Sequence, residues 1–228
     1  MWIGALTGVV AAVAVAAGTG ALSGVSSLFK GDGEPPAPGW SPPRATYSCR
    51  KPAPCVGFGS AVVLNALTNN PSYGDERNFL VVKPVTVTTP GGWHDVLAVE
   101  PGDEVLIRQY VSNGSFSTVA ENARVSLQIP PERGRHLLIT GRNSADNAVP
   151  RSVSDQVRLD AGEPITAEYV AHSASVFGNA FPLPQGERLS DFYAGDGALL
   201  GYNKLDGRLR PAFGGNLIVT ARVRIIRG

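Results

Sequence analysis

The chain is short of charge. Only 17% of its 228 residues are Asp, Glu, Lys or Arg, and 20 basic residues nearly cancel 19 acidic ones. No basic tail or acidic run stands out. That balance excludes an ordinary nucleic-acid binder, whose affinity rests on a concentrated basic face. Histidine is scarce too: His94, His136 and His172 are the only three, and none stands in a metal-binding spacing such as H-E-x-x-H. Each falls in or beside a predicted strand and reads as a solvated strand residue. The nucleophile-elbow pattern G-x-S-x-G is missing, and no phosphate-binding glycine loop follows a strand. No cofactor is implied, and the chain reads as non-catalytic.

Cysteine is limited to Cys49 and Cys55, both in a proline-rich stretch. A small even number in an exported chain favours one disulfide across Arg50–Pro54, with Pro52 and Pro54 supplying the turn. A free thiol pair or half a metal site are the alternatives. Without a nearby histidine the zinc signal is weak.

Charge is missing altogether from residues 2–29, and the first charged side chain is Lys30. A bilayer needs about 20 mostly apolar residues, so residues 1–30 are expected to form a hydrophobic helix, either an uncleaved membrane anchor or a signal peptide. Cleavage would fall at small residues such as Ala14-Val15-Ala16. A helix packed in a soluble core is disfavoured, because no polar stripe recurs at helical period. Neither Lys nor Arg precedes the run, whereas Lys30, Arg44, Arg50 and Lys51 follow it. The positive-inside rule alone would place that side in the cytoplasm. The proline stretch and the cysteine pair argue instead for an extracytoplasmic domain.

Residues 31–56 form the next region. Five prolines between Gly31 and Thr46 block helix and predict an extended, semi-rigid stalk rising about 3.1 Å per residue. From residue 57 to 228 the pattern is period two. Ala123, Val125, Leu127 and Ile129 share one face, as do Leu217, Val219, Ala221, Val223 and Ile225, and again Ile165, Ala167, Tyr169 and Ala171. Such alternation gives one buried and one wet face, the mark of antiparallel sheets. Turn signals separate the runs, among them Pro90-Gly91-Gly92, Asn113-Gly114 and Asp160-Ala161-Gly162. Asn113-Gly114-Ser115 also matches a glycosylation sequon, but Asn-Gly reads first as a hairpin turn. Many short strands with regular turns predict one all-β domain, an antiparallel sandwich or barrel.

Carboxylates could still do chemistry, since a glycosidase needs only two. Asp75 and Glu76 sit together in a loop, as do Asp103 and Glu104, but neighbours in a strand point to opposite faces. Asp75, Glu76 and Arg77 are the surface-loop candidates. Asp75 and Glu76 would help hold a calcium ion if more oxygens joined them, or Arg77 would pin Asp75 by a charge-assisted hydrogen bond. The aromatic-rich region from Phe177 to Tyr202, including Phe181, Phe192 and Tyr193, is expected to pack in core or loop, or to form a contact patch if exposed.

Three stretches carry a family resemblance: Pro101-Gly102-Asp103-Glu104-Val105, then Tyr110-Val111-Ser112-Asn113-Gly114, then Ala120-Glu121-Asn122-Ala123-Arg124-Val125 ahead of Ile129-Pro130. Together they resemble the conserved-repeat, immunoglobulin-like domains of bacterial cell-surface proteins. The segment from Asn70 to Phe79 is similar to a motif of exported actinobacterial proteins. The resemblance implies an immunoglobulin-like β-sandwich at the cell surface and no particular chemistry. The expected role is a non-catalytic binding or structural module of the envelope, touching the membrane through its N-terminal segment and a protein or glycan through its domain, with no nucleic acid. A carboxylate-dependent hydrolase is the alternative.

Overall fold

Apolar residues at every second position become strands. The computed structural model describes residues 37–49, 59–182, 185–211 and 215–228. They contain β1 (Leu80–Pro84), β2 (Val96–Ala98), β3 (Glu104–Val111), β4 (Arg124–Gln128), β5 (Gly134–Ser144), β6 (Ser152–Tyr169), β7 (Ser175–Phe177), β8 (Glu187–Arg188), β9 (Ala198–Leu199) and β10 (Leu217–Arg227). Helix among the described residues is limited to short 3₁₀ turns, such as Asp191–Ala194, capped by the Ser190 hydroxyl, which accepts from the Phe192 N–H. None is long and apolar enough to cross a membrane. The expected helix over residues 1–30 lies outside the described residues, as do 31–36 and 50–58, including Cys55.

The fold is all-β. The strands join one sheet in the order β1-β3-β10-β6-β5-β4-β9, with β2 beside β6, and β7 between β10 and β8. Every pairing of these strands is antiparallel except β2 on β6. Leu217, Val219, Ala221, Val223 and Ile225 all point into the core, and so do Ala123, Val125 and Leu127. Ile165 and Ala167 follow, but Tyr169 is only partly buried and Ala171 is exposed, because β6 has ended.

Two turn readings are corrected. Asp160-Ala161-Gly162 does not end a strand, because β6 runs through it for 18 residues. His136 pairs with Asp160 and Gly134 with Ile165, so Arg135 alone stands opposite residues 161–164. Gly162 and Pro164 thus make a bulge, where the missing proline N–H costs no ladder bond. Bulges bend strands, and β6 changes neighbours there. Its first half pairs with β5 and β2, its second with β10. One wing is therefore β1, β3, β10 and the end of β6. The other is β4, β5 and the start of β6.

Asn113-Gly114 is the second correction. It is no hairpin turn, since β4 pairs with β5 and β9 rather than with β3. Asn113 is buried, its Nδ2 donating to Thr118 O and Leu209 O and its Oδ1 accepting from the Ser115 N–H. The glycine is required by close approach: a Cβ on Gly114 would stand 2.8 Å from Val63 O.

The wings touch across the core. A Cβ on Gly141 of β5 would come within 2.7 Å of Leu80 Cδ1 of β1. Between them runs a chain of fully buried polar side chains. Tyr193 donates its hydroxyl to Gln109 Oε1 at 2.9 Å, Gln109 Nε2 donates to Asn143 Oδ1 at 2.9 Å, and Asn143 Nδ2 donates to Asn65 Oδ1 at 2.8 Å. Both Asn65 and Asn143 also donate to the Tyr110 carbonyl at 3.0 Å. Every member is satisfied, which is the condition for a polar group to sit in a core without a net penalty.

Residues 37–49 are stitched to the domain instead of standing off as a spacer. Ser41 exchanges backbone hydrogen bonds with Ser154, the Tyr47 N–H donates to Ala66 O, and the Thr68 N–H donates to Tyr47 O. An extended proline-rich segment suits this, since its remaining N–H and C=O groups point sideways and can join a sheet margin.

Candidate functional site

The outer face of the first wing carries Val81 and Lys83 on β1 and Arg108 and Tyr110 on β3. Two loops cover it, one from Asn70 to Asn78 and one around Trp93. They are joined by a ladder of rings and cations. Lys83 Nζ lies 4.8 Å from the Trp93 ring centre, the Arg108 guanidinium lies 4.5 Å from Trp93 and 5.3 Å from Tyr73, and Tyr73 stacks on Tyr110 at 4.1 Å. Each cation–ring contact contributes about 0.5–1 kcal/mol at exposed sites and more when desolvated. Arg108 Nε is buried with no hydrogen-bond partner among the described residues. Stacking against two rings is what holds that guanidinium in place. Beside the ladder opens a cleft of about 450 Å³, with Asp75, Asn78, His94 and Asp95 at its rim. Trp40, from the proline-rich segment, stacks on Arg77 at 4.7 Å next to it.

The Asn70–Phe79 motif builds this place, and nearly every residue in it has a structural duty. The Asn70 backbone bridges to Gly74, whose φ of 95° suits only glycine comfortably. Asn70 Nδ2 donates to Glu76 Oε1 at 2.8 Å and to the Tyr110 hydroxyl at 3.1 Å. Tyr73 donates to Asn78 O at 3.1 Å. Asn78 Nδ2 donates to Asp95 Oδ1 at 3.0 Å. Phe79 is fully buried.

The three candidates separate accordingly. Arg77 Nη2 stands 2.6 Å from Asp75 Oδ2, and the Arg77 N–H also donates to Asp75 Oδ1. Burial alone would raise the Asp75 pKa, but the hydrogen bonds from Arg77 outweigh it and hold the carboxyl below its ordinary range. Glu76 is not a solvated turn residue. It is 1% exposed and points inward, accepting from the Ser112 hydroxyl, Asn70 and the Leu67 N–H. Burial pushes its pKa up, and these bonds only partly offset the rise. Asp75 and Glu76 therefore diverge. Among the described residues no three His, Cys, Asp or Glu side chains gather as metal ligands.

A second buried carboxylate lies behind the loop. Asp155 is 2% exposed and accepts from the Leu80 N–H at 2.8 Å and the Gln156 N–H at 2.9 Å. Burial raises its pKa to about 6 against the pull of these backbone bonds. Arg44, on the 37–49 segment, provides long-range charge for both acids. Its Nε donates to Asn65 O at 3.0 Å, while Nη1 and Nη2 are buried without hydrogen-bond partners among the described residues. Desolvation lowers its pKa, and the Asp155 carboxylate works against that.

The remaining expectations fall as follows. His94, His136 and His172 are all exposed, and two meet acids: His136 with Asp160, and His172 with Asp191. Cys49 is held to Asn69, its N–H donating to Asn69 Oδ1 and its carbonyl accepting from Asn69 Nδ2, both at 2.7 Å. Tyr193 and Phe181 are buried, and Phe192 is 67% exposed. Lys83, Trp93 and Arg108 carried no signal in the sequence. Arg108 sits in an alternating strand, where an outward arginine reads as solvated, and only the fold lays the two rings on it. No protein-family model, curated protein or solved structure matches the chain.

Proposed function

We propose that the chain is a non-catalytic binding module of the cell envelope, tethered or secreted through its N-terminal segment. On this reading the domain is an immunoglobulin-like sandwich facing outward, closed at its entrance by a Cys49–Cys55 disulfide. The uncharged run, the proline-rich segment and the cysteine pair support the location. The motifs resembling bacterial surface domains support both location and fold.

One observation carries the binding role. The cleft beside Trp93 and Arg108 is held rigid by stacked rings, yet its carboxylates are already engaged, Asp75 by Arg77 and Asp95 by Asn78. The acids with raised pKa values, Glu76 and Asp155, are buried behind the loop and bonded to the protein. General acid–base catalysis needs a titrating group within reach of substrate. This arrangement instead offers a preformed, mixed-charge contact surface of the kind that binds with little ordering cost. It also argues against the hydrolase alternative, which requires two converging carboxylates with free oxygens.

The experiment has two arms on intact cells carrying the full chain. A membrane-impermeant thiol reagent is expected to label Cys49 and Cys55 only after reductant is added. Labelling only after lysis would refute the outward location. Cosedimentation with cell-envelope fragments is expected for the native chain and weakened for Trp93→Ala. Equal cosedimentation would refute the cleft as the contact surface.

A further inference from the structure

The second wing presents a different surface. On its outer face, register places Arg124 opposite Ser144, Ser126 opposite Arg142, and Gln128 opposite Thr140. One strand further, Arg142 faces Ser154 and Ser144 faces Ser152. Residues paired in this way point to the same side. The face is therefore a bed of hydroxyls and amides with arginines standing in it. It is hollowed into two adjoining depressions of about 420 and 250 Å³ that share Gln128, Arg142 and Ser152. The turn Gly195–Gly197 walls one end, and Ser41 with Pro42 walls the other.

Three arginines line this trough: Arg124, Arg142 and Arg151. None forms an ion pair among the described residues, whereas Arg77, Arg158, Arg222, Arg224 and Arg227 all do. Arg124 donates from Nη1 to Gly197 O at 3.2 Å, and Arg142 donates from Nη2 to Ser152 Oγ at 2.9 Å. These neutral partners orient two of the guanidinium groups without neutralising them. Arg124 and Arg142 are diagonal neighbours on adjacent strands, about 7–8 Å apart by sheet geometry. Like charges at that spacing repel, so an anion lying between them would gain twice. Two carboxylates stand on the rim, Asp196 and Asp146, the latter accepting from Asn122 Nδ2 at 3.2 Å.

We infer that this trough binds an acidic glycan, a chain of sugars carrying carboxylates. The arginines suit carboxylates, which guanidinium groups take bidentately. The serine, threonine and glutamine side chains, with the rim aspartates, suit sugar hydroxyls. Strands lie about 4.8 Å apart, close to the rise of one sugar unit in an extended chain, so a glycan crossing β4, β5 and β6 meets a new polar row at each step. A single-stranded nucleic acid needs aromatic platforms for its bases, and no aromatic among the described residues lines this trough. Asp146 and Asp196 would repel a dense phosphate polymer. The inference names a ligand and a face that the envelope-binding role leaves open, and it does not depend on the Trp93 cleft.

The test is titration of the full chain, in uncharged detergent, with hexagalacturonate, its neutral methyl ester and inorganic polyphosphate. Binding of the free acid is expected, with at least tenfold weaker binding of the ester and of polyphosphate. Arg142→Gln and, separately, Arg151→Gln are each expected to weaken binding tenfold or more. Arg142→Lys, which keeps charge but loses the planar fork, is expected to recover only part of it. Trp93→Ala is expected to bind the free acid as the native chain does, which separates this site from the cleft. Equal binding by the Arg142→Gln chain, no binding of the free acid, or polyphosphate binding as tight as the free acid would each overturn the inference.

Discussion

On the first wing the outer face of the sheet is roofed. Tyr73 and Trp93 lie over Arg108, Trp93 over Lys83, and the Asn70–Asn78 loop is nailed down by a buried glutamate. On the second wing the equivalent face is left uncovered by the described residues, and Arg124, Arg142 and Arg151 line an open trough. Both faces alternate with a common apolar core, and both carry cations at outward positions of central strands. The difference lies in what covers them. A roofed cation is used up on rings and contributes to holding loops. A bare cation without an acid contributes little to folding and is available to a ligand.

Four substitutions or conditions sharpen that contrast. The largest effect is expected between the wings. Asn143→Ala would strip Asn65 Oδ1 of its donor and leave Gln109 Nε2 and the Tyr110 carbonyl with one partner each, Arg142 O and Asn65 Nδ2. An unpaired buried polar group costs about 1–3 kcal/mol and each lost hydrogen bond about 1 kcal/mol more. A loss of roughly 3 kcal/mol or more should be seen in the urea midpoint, and an unchanged midpoint would mean the amide chain is not a structural link.

On the roofed wing, Trp93→Ala removes the ring shared by two cations. Lost stacking and lost apolar cover should together cost about 2 kcal/mol. Thermal melts of the two chains check this, and a melting temperature equal to that of the native chain would show that the ladder does not hold the loops.

A smaller effect is expected from pH. The pKa of Asp155 is raised by burial from 3.8 to about 6. An acid raised in this way favours folding most fully below its unfolded pKa, and that contribution is lost as pH rises through the folded value. Between pH 5 and 7.5 stability should therefore fall by about 1 kcal/mol, and Asp155→Asn should flatten the profile. Glu76 is shifted in the same direction and adds to the slope. Asp75 and Asp160 are lowered, so their contributions are lost only at more acid pH. Stability that rises across pH 5 to 7.5 would contradict this assignment.

The smallest effect on folding belongs to the bare wing. Arg142→Gln should change stability by no more than about 0.5 kcal/mol, as surface substitutions usually do. A large destabilisation there would mean that this arginine, too, serves the fold.

Much of the fold could be read from period-two alternation. The inward rows of β4 and β10 fall where their apolar residues alternate, because burial on one face leaves that imprint directly. The Asp160-Ala161-Gly162 and Asn113-Gly114 signals were misleading for a common reason. Turn-prone residues also suit bulges and close backbone contacts, and only the partner strand decides between them. The Asn70–Phe79 segment stood out in the sequence, and the Arg77–Asp75 pin was among its readings. The inward turn of Glu76 was not legible, since its partner Ser112 lies 36 residues away. The ladder and the trough were hidden likewise. Arg108 and Arg142 look identical in sequence, each an arginine in an alternating strand, and only tertiary neighbours make one a structural element and leave the other open.

The most direct measurement is therefore the dynamics of the arginine side chains themselves, followed by ¹⁵N relaxation at Nε in the full chain. Arg108 is expected to be as rigid as the backbone, with an order parameter of about 0.8 or higher, and to be insensitive to hexagalacturonate. Arg142, held by the Ser152 hydroxyl alone, and Arg151 are expected to be less ordered than Arg108 in the free protein and to gain order when it is added. Arg142 as rigid as Arg108 in the free protein, or an Arg108 that responds while Arg142 does not, would contradict the division between a roofed and an open wing.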